Sequence, residues 1–366
     1  LKMVALGLVP DLTAKAARTA ASNAGAKVVK TFAYEISGSE QQEIYDINPD
    51  LVLLCGGTDG GNKEVIIANA KHLVAIDRPF TTIVAGNKSA NDDIKAIFNE
   101  AGKDVVITEN VMPQFNKLNI EPARDAIRQL FISRIIEAKG LNILQSMTSY
   151  KIIPTPLAVL HACELLSKGT KTQQGRGDLL AVDIGGATTD VYSMASGEPT
   201  VDNTMLKGLP EPWMKRTVEG DLGMRYSLVH VYEQIPGANQ PENEYMQQVK
   251  AWVELCTAQP STLAAPGSEE EKLEEFLGRS AVSIAVERHC GRIADVFTPL
   301  GLMHTLEGKD LMDIPAVVGI GGVLRNSRHP EEILKGSLYN VMQPESTRPR
   351  NPKFYLDSRY IFAAMG

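Results

Sequence analysis

The chain has 366 residues, 43% of them hydrophobic and 22% charged, with 37 Lys and Arg against 44 Asp and Glu and a formal charge of -7. That is enough apolar material for two or three domains, and an acidic balance without a basic tract leaves no electrostatic footprint for a phosphate backbone, so nucleic acid is not an expected partner. No apolar run reaches the roughly 18 residues that a membrane span needs and no signal-peptide pattern opens the chain, so the default expectation is a cytoplasmic protein with no membrane partner.

The chain opens at Leu1 without an initiator methionine and moves at once into the apolar stretch Met3-Val4-Ala5-Leu6-Gly7, and it closes on Ile361 to Gly366 without a helix cap, so both ends read as those of a fragment. Over the first hundred residues short apolar runs alternate with amphipathic segments. Strands are expected at 3–8, 27–34, 51–55, 81–85 and 104–108, and helices at 12–24, 40–47, 63–74 and 91–101, the last capped by Ser89 or Asn91. Such a rhythm implies βαβ crossovers and a parallel sheet covered on both faces, a doubly wound α/β domain over 1–118. An amphipathic stretch over 124–137 reads as the core of a connector, 119–150, and the second half, 151–366, opens with a helix at 157–166. A Pro/Gly-rich and then acidic segment, 259–275, reads as a surface excursion between two helices. The cysteines, Cys55, Cys163, Cys256 and Cys290, are scattered singly, which predicts buried, reduced thiols rather than a metal site. The histidines show no metal-ligand spacing.

Two glycine turns follow strands. Gly56-Gly57-Thr58-Asp59-Gly60-Gly61 lies at the carboxyl edge of the expected parallel sheet, where open α/β sheets bind ligands, and reads either as a ligand or partner site or as a flexible connection. In the second half, Leu179-Leu180-Ala181-Val182 runs into Asp183-Ile184-Gly185-Gly186-Ala187-Thr188-Thr189-Asp190, after which β character resumes. Gly185 and Gly186 clear space for an anion to approach backbone, while Ala187, Thr188 and Thr189 present amides and hydroxyls. Carboxylates beside a triphosphate make sense with Mg²⁺ between them, which marks Asp183 and Asp190 as metal-binding and catalytic candidates. A bare Asp-x-Gly-Gly is also an ordinary hairpin with capping aspartates.

The whole octet resembles the second phosphate motif of the actin/sugar-kinase/heat-shock-chaperone (ASKHA) superfamily. Downstream, Val317 to Leu324 with Gly319, Gly321 and Gly322 resembles its adenosine motif, and Glu219-Gly220-Asp221-Leu222-Gly223-Met224-Arg225 the glycine turn that opens its second subdomain, here 216–312. The helix carrying Glu287 and Arg288 matches the place where relatives line adenine and ribose, although Arg288 suits a surface salt bridge equally well. These runs, with Thr298-Pro299-Leu300-Gly301 and Gly308-Lys309-Asp310-Leu311, resemble one family over essentially the whole chain. It is that of the MutL-type accessory proteins of adenosylcobalamin-dependent glutamate (methylaspartate) mutase.

The resemblance implies an ASKHA, ribonuclease H-like fold over 151–366 behind the N-terminal α/β domain, ATP or ADP with Mg²⁺ as ligands, mutase subunits as partners, and chaperone-like reactivation. It assigns Mg²⁺ and the attacking water to Asp183 and Asp190, phosphates to Gly185, Gly186, Thr188 and Thr189, and the nucleoside side to Glu219, Arg288, Gly319, Gly321 and Gly322. The family's first phosphate hairpin, Asp-x-Gly-Ser/Thr-Thr, does not occur before Asp183, which puts hydrolysis by this chain in doubt. The N-terminal pattern resembles a cobalamin-carrying domain without its Asp-x-His-x-x-Gly motif, implying a docking mimic. A non-enzymatic scaffold and, further off, a small-molecule kinase remain as alternatives.

Overall fold

The computed structural model describes residues 2–14, 16–17, 20, 27–138, 153–208, 211–238, 243–299 and 301–366. The expected connector therefore lies outside the described residues from 139 to 150. The chain forms two compact units, Leu1–Pro154 with Gly208–Pro210, and Thr155–Lys207 with Glu211–Gly366.

In the first unit, β1 (Lys2–Gly7), β2 (Lys27–Ala33), β3 (Leu51–Leu54), β4 (Thr81–Val84) and β5 (Val105–Ile107) form one parallel sheet in the order β2-β1-β3-β4-β5. Alternate side chains of each strand point to opposite faces. Met3, Ala5, Leu51, Leu53 and Ile83 face one core, closed by Ala16, Ala17 and Ala20 and by Ala123 and Ile127 of α4 (Glu121–Ala138). Val4, Leu6, Val52, Leu54 and Val84 face the other, closed by Ile44 of α1 (Gly38–Ile47), Ile66, Ala70 and Leu73 of α2 (Glu64–Ala75), and Ile94 and Phe98 of α3 (Asn91–Glu100). The stretch expected as a connector thus supplies, in α4, one wall of the first core.

Helix starts follow local chemistry. At α1, Ser37 accepts from the Glu40 amide and Glu40 returns the bond, a complete capping box. Neither Ser89 nor Asn91 caps α3. Ala90 holds that position without a side-chain bond, because the chain enters through a 3-10 turn, Lys88–Ala90, whose own cap is Asn87.

The second unit is built on β6 (Leu179–Ile184), β7 (Thr189–Met194), β9 (Met214–Glu219), β12 (Ala316–Ile320) and β13 (Lys353–Leu356), in the order β13-β12-β6-β7-β9. The strands β6, β7 and β9 are successive antiparallel neighbours, while β12 runs parallel to both β6 and β13. Val182, Ile184 and Val191 pack on α8 (Glu269–His289) through Leu277, Ala281, Val282, Ala285 and Val286. That helix begins inside the segment expected as a loop. Ser268 caps it, and Glu269, Glu270 and Glu271 fill its first turn, where carboxylates complement the helix dipole. A smaller sheet, β10 (Arg292–Thr298), β11 (Gly301–Glu307) and β8 (Thr204–Lys207), carries little cover, with Phe297 85% exposed. All four cysteines are free and buried. Among the described residues no helix is long and apolar enough to cross a membrane.

Candidate functional site

The octet singled out in the sequence is the tip of the β6–β7 hairpin. Asp183 pairs with Asp190 and Ile184 with Thr189 across the two strands, so both carboxylates lie on the same face of the sheet at the mouth of the turn. The turn closes through the Gly185 amide on the Thr188 carbonyl, 2.9 Å.

What orients this turn is the segment after β9. The Met224 amide donates to the Gly185 carbonyl at 3.0 Å, and the Arg225 and Tyr226 amides donate to the Gly186 carbonyl at 2.8 and 2.9 Å. Ser227 Oγ donates to the Ala187 carbonyl at 3.1 Å. Three successive carbonyls of the turn are thereby engaged by one strip of chain. Among the described residues, the amides of Gly186, Ala187 and Thr188 have no protein acceptor. A run of unpaired, partly exposed N–H groups in a turn is a nest, a concavity suited to an anion. Gly223 allows the close approach, since a Cβ there would stand 2.2 Å from the Ala187 carbonyl carbon. Thr189 contributes from inside, its Oγ1 donating to the Leu222 carbonyl at 2.5 Å.

The turn after β12 meets the same end of the sheet. Gly321, at φ +99, has no room for a side chain: a Cβ would stand 2.4 Å from the Ile184 oxygen and 2.7 Å from Asp183 Oδ1. Gly322 opens the short helix α9 (Gly322–Asn326). Gly319 lies within β12, where a Cβ would press on Leu324 and Leu334. Its carbonyl accepts from the amide of Asp357, just past β13.

Three carboxylates converge here with different partners. Asp190 Oδ1 accepts from Arg216 at 2.9 Å, and Oδ2 from Thr188 Oγ1 at 3.4 Å. Asp357 accepts the Ile361 and Phe362 amides, both at 3.0 Å, and so caps the last helix, Phe362–Met365. Among the described residues, Asp183 accepts no protein hydrogen bond. Burial, then the facing Asp190, push its carboxyl up to about 6, with Asp357 adding to the push and Arg216 opposing it.

This constellation is accompanied by a match over the full length, residues 1–366, to a family model described as MutL protein. The chain belongs to the MutL protein family. It is 45% identical over 369 residues to "Protein MutL" of Clostridium tetanomorphum, an alignment covering 100% of this chain and 79% of that relative.

In this MutL-family chain the remaining sequence candidates form a second group on the α8 side. Arg288 donates to Glu219 at 2.6 Å and to both oxygens of Asp221, at 2.9 and 3.0 Å, and also bonds Gln234. Burial raises the Glu219 carboxyl despite Arg288. At Asp221 the push from burial is outweighed by the bonds from Arg288, and that carboxyl falls. The salt bridge considered for Arg288 is therefore formed, between the end of β9 and α8. His289 is neutral and structural: fully buried, it bonds Ser193 Oγ at 2.8 Å and Thr217 Oγ1 at 2.9 Å, and burial holds its pKa well below the usual range.

Several contributors were not foreseen. Arg216 lies in β9, whose run Met214-Lys215-Arg216-Thr217-Val218-Glu219 lacks the alternation that marks a strand. Asp357 is a lone carboxylate after a short edge strand. Tyr226 and Ser227 act through the register of the turn against a distant loop.

The N-terminal glycine turn differs in kind. Its polar groups are engaged with one another and with Asn87, whose buried side chain accepts from Gly60 and Ser89 amides and donates to the Gly61 and Asn62 carbonyls. Asn110 ties Gly57 and Asp59 from the other side, at 3.0 Å each. It is a tied loop rather than a slack connection.

Proposed function

We propose that this chain is an ATP-dependent reactivating chaperone of an adenosylcobalamin-dependent glutamate (methylaspartate) mutase, built on an ASKHA-type nucleotide-binding fold. The observation that carries the reading is the row of amides Gly186, Ala187 and Thr188 beside the Asp183 carboxylate, none of which has a hydrogen-bond partner among the described residues. Amides for phosphate oxygens next to a bare carboxylate form the donor set that Mg²⁺-nucleotide asks for. Among the described residues no group of three His, Cys, Asp or Glu is arranged to hold a metal alone. Mg²⁺ that comes with nucleotide needs only one or two carboxylates beside phosphate oxygens and water. Membership of the MutL protein family supports the mutase side of the reading, which rests on the resemblance of the sequence motifs.

In this reading Asp183 holds Mg²⁺ and orients the attacking water. The turn amides of Gly186, Ala187 and Thr188 hold phosphate oxygens, and Gly321 with Gly322 lets the nucleoside come close to backbone, with the Glu219–Arg288 pair framing the far side. When bound, Mg²⁺ supplies neutralisation of phosphate charge. The N-terminal unit is the docking element toward the mutase.

The test is thermal unfolding with and without Mg²⁺ and ADP, with ATP turnover and recovery of an inactivated adenosylcobalamin mutase measured on the same preparation. A rise in Tm that needs Mg²⁺, and recovery that needs ATP, are expected. A Tm indifferent to nucleotide, with recovery independent of ATP, would overturn the reading in favour of a scaffold.

A further inference from the structure

The paired aspartates of the hairpin do different work, and the residue that separates them is Arg216. Asp183 and Asp190 face each other across β6 and β7, an arrangement that repels when both are ionised. Arg216 sits opposite Tyr192 on β9, on the same face. Its guanidinium reaches Asp190 Oδ1 at 2.9 Å, with the two side chains only 5% and 8% exposed, and lies 5.7 Å from the centre of the Tyr192 ring. Both oxygens of Asp190 are thus engaged by protein, one by Arg216 and one by Thr188. Of the other two carboxylates at this end, Asp357 accepts the amides of a helix start, while Asp183 accepts no hydrogen bond among the described residues. Among the described residues one guanidinium stands with the two facing charges, and the geometry leaves the uncompensated one on Asp183.

We propose that Arg216 is a positioning residue: it clamps Asp190 as an internal counter-charge, and Asp190 in turn sets the Thr188 hydroxyl and the pitch of the phosphate turn. Asp183 alone faces a divalent cation brought in with the phosphates. This assignment rests on the nucleotide reading above and departs from the sequence expectation, since Asp190 becomes part of the turn's frame instead of a metal ligand beside Asp183. A buried ion pair is poor support for stability but good support for one geometry, because removing one partner strands the other charge.

Two measurements test it. The first is ADP affinity by calorimetric titration, with Mg²⁺ and with chelator, for the native chain, Asp183→Asn, Asp190→Asn and Arg216→Lys. Asp183→Asn should bring the ratio of the two affinities close to one. Asp190→Asn and Arg216→Lys should weaken both affinities by a similar factor, about tenfold, and keep the ratio. Loss of the ratio in Asp190→Asn overturns the assignment. The second needs no nucleotide: urea unfolding of Arg216→Met, Asp190→Asn and the double variant. The clamp requires that the double variant lose less stability than the two single losses together, and additive losses overturn it. If the native chain does not bind ADP, the nucleotide reading falls, while the unfolding cycle still decides whether the clamp exists.

Discussion

Asp183 carries a cost in the folded state that the proposed cation would relieve. Its carboxyl titrates near 6 when folded, above the ordinary value of 3.8, because burial and Asp190 both disfavour the charge. The folded chain therefore holds more protons than the unfolded chain between those two values. Its contribution to stability is greatest below pH 4 and is lost as pH rises through 6. Asp183→Asn removes this dependence. The variant should match the native chain near pH 4 and unfold at a higher temperature at pH 8, by about 2–4 °C for each kcal/mol gained. Urea or thermal midpoints taken across that range check it, and a native chain more stable than the variant at pH 8 would contradict the account. Stabilisation on loss of a site residue is the expected sign of a strained, functional carboxylate.

At the level of elements, the hairpin is shaped by a strip of chain that carries none of the motif. The Glu219 to Ser227 run holds the turn's carbonyls, and Gly223 permits the contact because anything larger meets the Ala187 backbone at 2.2 Å. Gly223→Ala must push the strip away from the turn. We expect a loss of about 1–3 kcal/mol in urea unfolding, the usual range for overpacking. A larger loss of ADP affinity should accompany it, because the row of amides depends on those carbonyl bonds. An alanine variant with native affinity would show that the turn holds its shape unaided. Elements also explain why the acidic start of α8 read as a loop. Glu269, Glu270 and Glu271 look like solvated surface, yet with Ser268 ahead of them they are what the positive end of a helix favours.

The whole molecule divides into two units whose sheets and cores are separate, so one melting transition is not the natural expectation. Differential scanning calorimetry should resolve two, and Mg²⁺ with ADP should move only the one that Asp183→Asn also moves. A single transition shifted as a block would mean that the units unfold together. The parts of this architecture legible in the sequence are those governed by short-range rules. Alternating apolar runs and helices imply a parallel first sheet, since each buried strand is locally apolar. The octet from Asp183 to Asp190 marks a hairpin by its own glycines and flanking strands. Tertiary structure alone decided the rest, because it depends on residues far apart in the chain. The α4 helix closes a core, since its apolar stripe has a sheet to cover. Arg216 reaches Asp190 through strand register, which no local pattern records. Asp357 arrives beside Asp183 because two parallel strands end together. Among three similar carboxylates, only the tertiary structure distinguishes Asp183, which accepts no hydrogen bond among the described residues.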